Sequence, residues 1–274
     1  MQAQPDVTIE TLAPYLAEQV PQIGQLKQIE KFGTGQSNPT YRLDCAEGRF
    51  VLRTQPKGEL LKSAHAVDRE FRVMRALAAT DVPVPRMLHL SGTDGPLGRG
   101  FYIMEHLEGR IFWDPALPEI DHGGRGAIYD DMNRVLAALH SVEIESVGLT
   151  DFGRPGSYYE RQFARWSQQY KASELTPRPE MDRLMTWLGA AMPPEDGAVS
   201  LVHGDWRIDN LMFHPSEPRI IGVLDWEIST LGHPIADLAY QCMQWRLPNQ
   251  GAMRGLGGID RVAHGLPDEA GYVA

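Results

Sequence analysis

His203-Gly204-Asp205-Trp206-Arg207-Ile208-Asp209-Asn210 decides the reading of this chain, together with Asp225, fifteen residues beyond Asn210. A carboxylate and an amide five residues apart follow a short apolar run, residues 199–202, that reads as a strand. Phosphoryl transfer needs such a set. Asp205 would orient a hydroxyl nucleophile, and the Asn210 amide oxygen would reach Mg²⁺. Asp225 emerges from the end of a second apolar run, residues 220–224, where its carboxylate could hold metal against nucleotide phosphates. Each residue alone is an ordinary loop acid or turn amide. The combination carries the signal. Asp209 lies inside the motif without needing to share the direction of Asp205, and Glu227 reads more as a surface acid than as a metal ligand.

His203 reads as a loop-shaping side chain bonded to backbone carbonyls. Asp237, near the start of a helical run at 235–245, reads as a cap or as an acceptor for catalytic-loop N–H groups. His140 reads as structural.

The nucleotide half of the pattern lies upstream. Phe32-Gly33-Thr34-Gly35-Gln36-Ser37-Asn38 separates two strand candidates, residues 26–32 and 40–45. Glycines there let the backbone approach phosphates, and Ser37 with backbone N–H groups can donate to them. It is not a G-x-x-x-x-G-K-[ST] loop. A third strand, residues 49–53, ends in Phe50-Val51-Leu52-Arg53 and would bring a cation to the phosphates. Glu70, on a helical run at 64–77, could hold that cation by an ion pair. Arg53 stands where lysine is usual, and its planar fork clamps phosphate with a different geometry. Strands at 86–90 and 101–104 complete a small α+β lobe. Met104-Glu105-His106-Leu107 then enters a linker whose backbone, at Glu105 and Leu107, could recognise an adenine edge.

Beyond His106 the periodicity turns helical. Ile128, Met132, Val135, Leu136 and Leu139 form one stripe, and Met181, Leu184, Met185 and Leu188 another. The aromatic face of residues 158–170, with Tyr158, Tyr159, Trp166 and Tyr170, reads as core in preference to a substrate cleft. The expected organisation is therefore residues 1–105 as a nucleotide-binding N-lobe and residues 106–274 as a catalytic and acceptor-binding C-lobe.

Composition narrows the class. Of 274 residues, 42% are hydrophobic and 23% charged, as in globular proteins. The first 105 residues are electrically balanced, and the net charge of −10 falls on the remainder. That leaves no basic face for nucleic acid. No apolar run reaches the roughly 18–20 residues of a membrane span, and the N-terminus has no basic start followed by an apolar core. Cys45 and Cys242 lack metal-ligand spacing, so a reduced cytoplasmic setting is expected.

These residues resemble the aminoglycoside phosphotransferase-like kinase family. The resemblance is strongest to the subgroup found alone in bacteria and fused to acyl-CoA dehydrogenases in animals. It rests on Gly35-Gln36-Ser37-Asn38, Phe50-Val51-Leu52-Arg53, the segment from Ala64 to Glu70, His203-Gly204-Asp205 through Asn210, Leu224-Asp225-Trp226-Glu227 and Asp237-Leu238-Ala239. The resemblance implies a bilobal, protein-kinase-like α+β fold using ATP and Mg²⁺. It maps the base onto Asp205, metal ligands onto Asn210 and Asp225, the phosphate cation onto Arg53 and its partner onto Glu70. Gly35, Ser37, Asn38, Glu105 and Leu107 complete the expected cofactor contacts. For the acceptor it implies a small-molecule hydroxyl, with hydroxyacyl-CoA, particularly 4-hydroxyacyl-CoA, suggested by the subgroup. The acidic middle segment pulls against a polyanionic acceptor.

Family members usually continue for several helices past the position of Ala274, so a C-terminally truncated chain is expected. Three alternatives stay open: a nucleotide-binding pseudokinase or scaffold, suggested by Arg53; an aminoglycoside- or choline-type kinase; and, more weakly, a metal hydrolase, for which His203, His214 and His233 lack ligand spacing.

Overall fold

In the computed structural model, residues 6–33, 38–58, 66–154, 156–251 and 253–273 are described. Helix α1 (Ile9–Gln19) opens the chain, with Thr8 as N-cap accepting from the Thr11 N–H. Strands β1 (Leu26–Lys31), β2 (Thr40–Cys45) and β3 (Gly48–Thr54) follow, then helix α2 (Val67–Leu77) and strands β4 (Met87–Ser91) and β5 (Phe101–Glu105). The five strands form one antiparallel sheet in the order β1-β2-β3-β5-β4. One face buries Leu12, Leu16, Leu43, Leu52 and Ile103 in a small core under α1.

Helix α2 covers the other face with Val67, Phe71, Val73, Met74 and Leu77. Each such burial contributes about 2 kcal/mol. The outlier on α2 is Glu70, buried as deeply as its apolar neighbours. A carboxylate in that position requires partners.

Past β5 come α3 (His122–His140), α4 (Tyr158–Ser173) and α5 (Pro179–Ala190). Two short hairpin-like ladders follow. Strands β6 (Ser200–Val202) and β9 (Thr230–Gly232) pair with each other, and β7 (Leu211–Phe213) pairs with β8 (Ile220–Val223). Helices α6 (Ile235–Met243) and α7 (Glu269–Val273) close the chain. The α3 stripe Ile128, Met132, Val135, Leu136 and Leu139 is buried in the large core, which also takes Val51 and Tyr102 from the sheet and Trp206, Trp226 and Leu211 around the catalytic motif. Strand β9 has no counterpart in the sequence reading, because three residues, Thr230-Leu231-Gly232, give no measurable alternation.

The aromatic face of α4 departs from expectation. It has no buried residue, and Trp166 is 54% exposed. Helices α4 and α5 pack on each other instead, around an apolar groove of about 490 Å³ lined by Phe163, Trp166, Leu184 and Trp187. Helical spacing of aromatics identified the shared face correctly and its burial wrongly. The periodicity reports that a face is apolar and says nothing of what covers it. Among the described residues no helix is long and apolar enough to cross a membrane.

Candidate active site

The motif begins where β6 ends. Val202 pairs with Thr230, and His203 leaves the ladder between Trp206 and Trp226, both fully buried, with ring centroids 5.9 and 4.7 Å from its own. The Asp205 N–H donates to His203 Nδ1 at 3.2 Å, so Nδ1 is the acceptor nitrogen. Nε2 then carries the proton and donates to the Leu224 carbonyl at 2.9 Å. His203 is thereby a neutral strut tying the loop to the strand end that bears Asp225.

Asp237 holds the same loop from α6. It is fully buried and accepts from the His203 N–H at 2.8 Å and the Gly204 N–H at 2.7 Å, with His140 Nε2 at 3.1 Å. Gly204 makes this possible with φ +86°, and a Cβ there would meet Ile228 at 3.1 Å. The loop thus arrives at Asp205 with its backbone donors already committed.

Asn210 folds back on Asp205. Its Nδ2 donates to the Asp205 carbonyl and to Asp205 Oδ2, both at 2.9 Å. The nitrogen is so committed that the amide oxygen is the atom left to coordinate a cation. Leu211 opposes Val223 across the β7–β8 ladder, and the Leu224 N–H donates to the Asn210 carbonyl at 2.9 Å. That register sets Asn210 beside Asp225. Asp225 itself takes a left-handed φ of +63°, a conformation acids tolerate better than most residues.

Across the cleft, Arg53 of β3 lies 2.9 Å (Nε) from Glu70 Oε2 and donates from Nη2 to Asp225 Oδ1 at 2.6 Å, with Glu227 at 4.0 Å. Burial lifts Glu70 to about 7, opposed by Arg53. The surrounding carboxylates raise the proton affinity of Arg53 despite its burial. Asn38 Nδ2 donates to Glu70 Oε1 at 2.9 Å and the Tyr102 hydroxyl to Glu70 Oε2 at 3.0 Å.

A cavity of about 230 Å³ is lined by Arg53, Tyr102, Asn210 and Asp225 of this set, and Asp205 and Glu70 bond to its lining residues from behind. Arg53, Asn210 and Asp225 line its polar end, and Val51, Met104, Leu107 and Met212 give apolar walls near Glu105. Gly35 and Ser37 lie outside the described residues. Asp205, Asn210, Asp225, Arg53 and Glu70 are brought into one neighbourhood, with Glu105 and Leu107 at the far end of the same cavity. Asn38 is also at hand, but its buried side chain is directed to Glu70.

Sequence reasoning passed over Tyr102 and Tyr240. Tyr240 of α6 faces Asp205 and Arg207, and burial followed by the Asp205 hydrogen bond raises its phenol to about 12. Its spacing of three from Asp237 puts both on one helical face, a signal present in the chain. Arg207 is spoken for locally by Asp209.

The donor set suits Mg²⁺. An amide oxygen and a carboxylate are hard ligands, and the guanidinium of Arg53 already sits against Asp225 as a cation would. Among the described residues no group of three or more His, Cys, Asp or Glu is arranged to hold a metal ion by itself.

Comparison with known proteins identifies the family and the fold. The phosphotransferase enzyme family model, APH, matches residues 28–266, and the chain belongs to that family. It is 50% identical over 230 residues to probable acyl-CoA dehydrogenase IBR3 of Arabidopsis thaliana, covering 80% of this chain and 28% of that one. The chain thus spans under a third of that relative's length. Among solved structures it is 48% identical to a putative aminoglycoside phosphotransferase from Ralstonia eutropha, with TM-score 0.85, covering 97% of this chain and 78% of the other. A mutant aminoglycoside phosphotransferase APH(4)-Ia, in ternary complex with ADP and hygromycin B, shares the fold at 17% identity and TM-score 0.62, over 86% of this chain and 77% of that one. The α+β kinase-like fold and the phosphotransferase family are therefore shown.

Proposed function

We propose that this chain transfers the γ-phosphoryl group of ATP to a hydroxyl of a small molecule. The observation that carries the reading is the convergence of Asp205, Asn210 and Asp225 on one side of a cleft with Arg53 on the other. In this account residues 1–105 bind nucleotide and residues 106–274 carry catalysis and the acceptor.

Asp205 accepts a hydrogen bond from the acceptor hydroxyl and takes its proton as the new P–O bond forms. Asn210 Nδ2 on Oδ2 fixes the carboxylate's rotation. Phosphoryl transfer is loose, so alignment of the nucleophile counts for more than the strength of the base. Arg53 engages the nucleotide phosphates, offsetting charge that builds on the leaving oxygen. Asn210 and Asp225 would hold Mg²⁺, which supplies further charge neutralisation when bound. Backbone groups at Glu105 and Leu107 take the adenine edge.

Hydroxyacyl-CoA is the acceptor class we favour, supported by the acyl-CoA dehydrogenase names of relatives that contain a region like this one. The test is an ATP-consumption screen with hydroxyacyl-CoA esters, aminoglycosides and choline-like alcohols. Consumption dependent on a hydroxyacyl-CoA supports the reading. Consumption only with aminoglycosides or choline-like alcohols moves the acceptor class. Nucleotide binding without consumption across the panel would make the chain a scaffold.

A further inference from the structure

Glu70 receives more donors than an ion pair with Arg53 requires. Asn38 donates to Oε1 and Tyr102 to Oε2, so both carboxylate oxygens are fixed. All three residues are essentially excluded from solvent. Their positions follow from the ladder. Tyr102 of β5 is the direct cross-strand partner of Arg53 on β3, so both side chains project from the same face toward α2. Thr40 is the partner of Arg53 on its other side, and its hydroxyl donates to the Asn38 carbonyl at 3.1 Å. Asn38 is thereby seated beside Arg53 at the start of β2.

We infer that Asn38 and Tyr102 are positioning residues that lock Glu70, and through it Arg53, in the nucleotide-ready arrangement before any nucleotide arrives. The inference rests on the reading of Arg53 as the phosphate cation. A carboxylate held by Arg53 alone could rotate about its terminal torsion or swing away with α2. Donors on opposite oxygens remove the rotation, and their anchorage in β5 and in the segment leading into β2 ties α2 to the sheet. Hydrogen bonds to a charged acceptor in a dry site are strong enough to decide between such states.

The test measures Mg·ATP affinity by calorimetry, and KM and kcat separately, for Tyr102→Phe, Asn38→Ala and Arg53→Ala, with Glu70→Gln as background. Tyr102→Phe keeps the ring in the core, and Asn38→Ala is an independent second removal. Each is expected to weaken Mg·ATP binding and raise KM for ATP by about tenfold, the order a bond to a charged group supports. The same changes are expected to have under about twofold effect when Glu70 is already Gln, since the route through its charge is gone. Unchanged affinity in both variants, while Arg53→Ala binds nucleotide weakly, overturns the lock and leaves the phosphate role of Arg53 intact. Equal losses in the Glu70→Gln background also overturn it, by assigning a purely structural effect. Unchanged affinity in Arg53→Ala overturns the nucleotide reading itself, and the lock with it.

Discussion

Arg53 Nη2 donates to Asp225 Oδ1 at 2.6 Å, joining the sheet to the loop after β8 across the cleft. The residue read as the phosphate cation is therefore held by the residue read as a metal ligand. The guanidinium reaches Glu70 through Nε and Asp225 through Nη2, two separate corners of one planar fork where lysine offers a single nitrogen. Removing Arg53 strips the charge partner from buried Glu70. Breaking such a pair costs about 3–5 kcal/mol, but Asn38 and Tyr102 remain and Glu70 can take up a proton. Arg53→Ala is accordingly expected to lose less than that range, about 1–3 kcal/mol, in urea denaturation at pH 7.

The pH dependence of stability has a definite sign. Burial raises Glu70 from 4.5 to about 7, against the pull of Arg53 and the Tyr102 hydrogen bond, with Asp225 and Glu227 adding to the rise. The folded chain therefore holds this proton more tightly than the unfolded chain between those values. Its stabilising contribution is complete below 4.5 and is lost as pH rises through about 7. Denaturation midpoints measured from pH 4.5 to 8 should show this falling component, and Glu70→Gln should remove it. Nucleotide affinity should move the opposite way, rising through the same window as ionised Glu70 holds Arg53.

Asp237 is the keystone of the loop below Asp205. Three donors converge on it, from His203, Gly204 and His140. Asp237→Ala leaves them buried and unpaired, and a loss of about 3–5 kcal/mol is expected in chemical denaturation. Asp237→Asn keeps the shape but supplies one acceptor oxygen where two are used, so a smaller loss of about 2 kcal/mol is expected.

Gly204→Ala places a Cβ at positive φ and against Ile228. A cost of about 1–2 kcal/mol follows from the backbone alone. The displaced Asp205 should lower kcat more than it raises KM for ATP, which steady-state kinetics separates.

Much of this arrangement was legible in the chain. Strand β2 follows from alternation, β7 from the apolar run Leu211-Met212-Phe213 directly after the motif, and the α3 stripe from helical spacing, and the His203–Asn210 motif with Asp225 named the family. Three things were not legible, for physical reasons. Strand β9 is too short to show a period, yet it fixes His203. The apolar α4–α5 face announces itself by spacing, but burial depends on neighbours that spacing does not encode. Tyr102 looks like any core aromatic until the β3–β5 register sets it opposite Arg53. The carboxylate that makes its hydroxyl matter lies 32 residues earlier, on another element.

The most direct test of the central claim is acceptor-dependent ATP turnover in Asp205→Asn, read beside Mg·ATP affinity. The substitution keeps the size of the side chain and removes its ability to take the proton. Turnover is expected to fall by about 10²–10⁴-fold, the contribution of a positioned base, while nucleotide affinity stays within about threefold of the parent. Turnover within a fewfold of the parent would contradict the account.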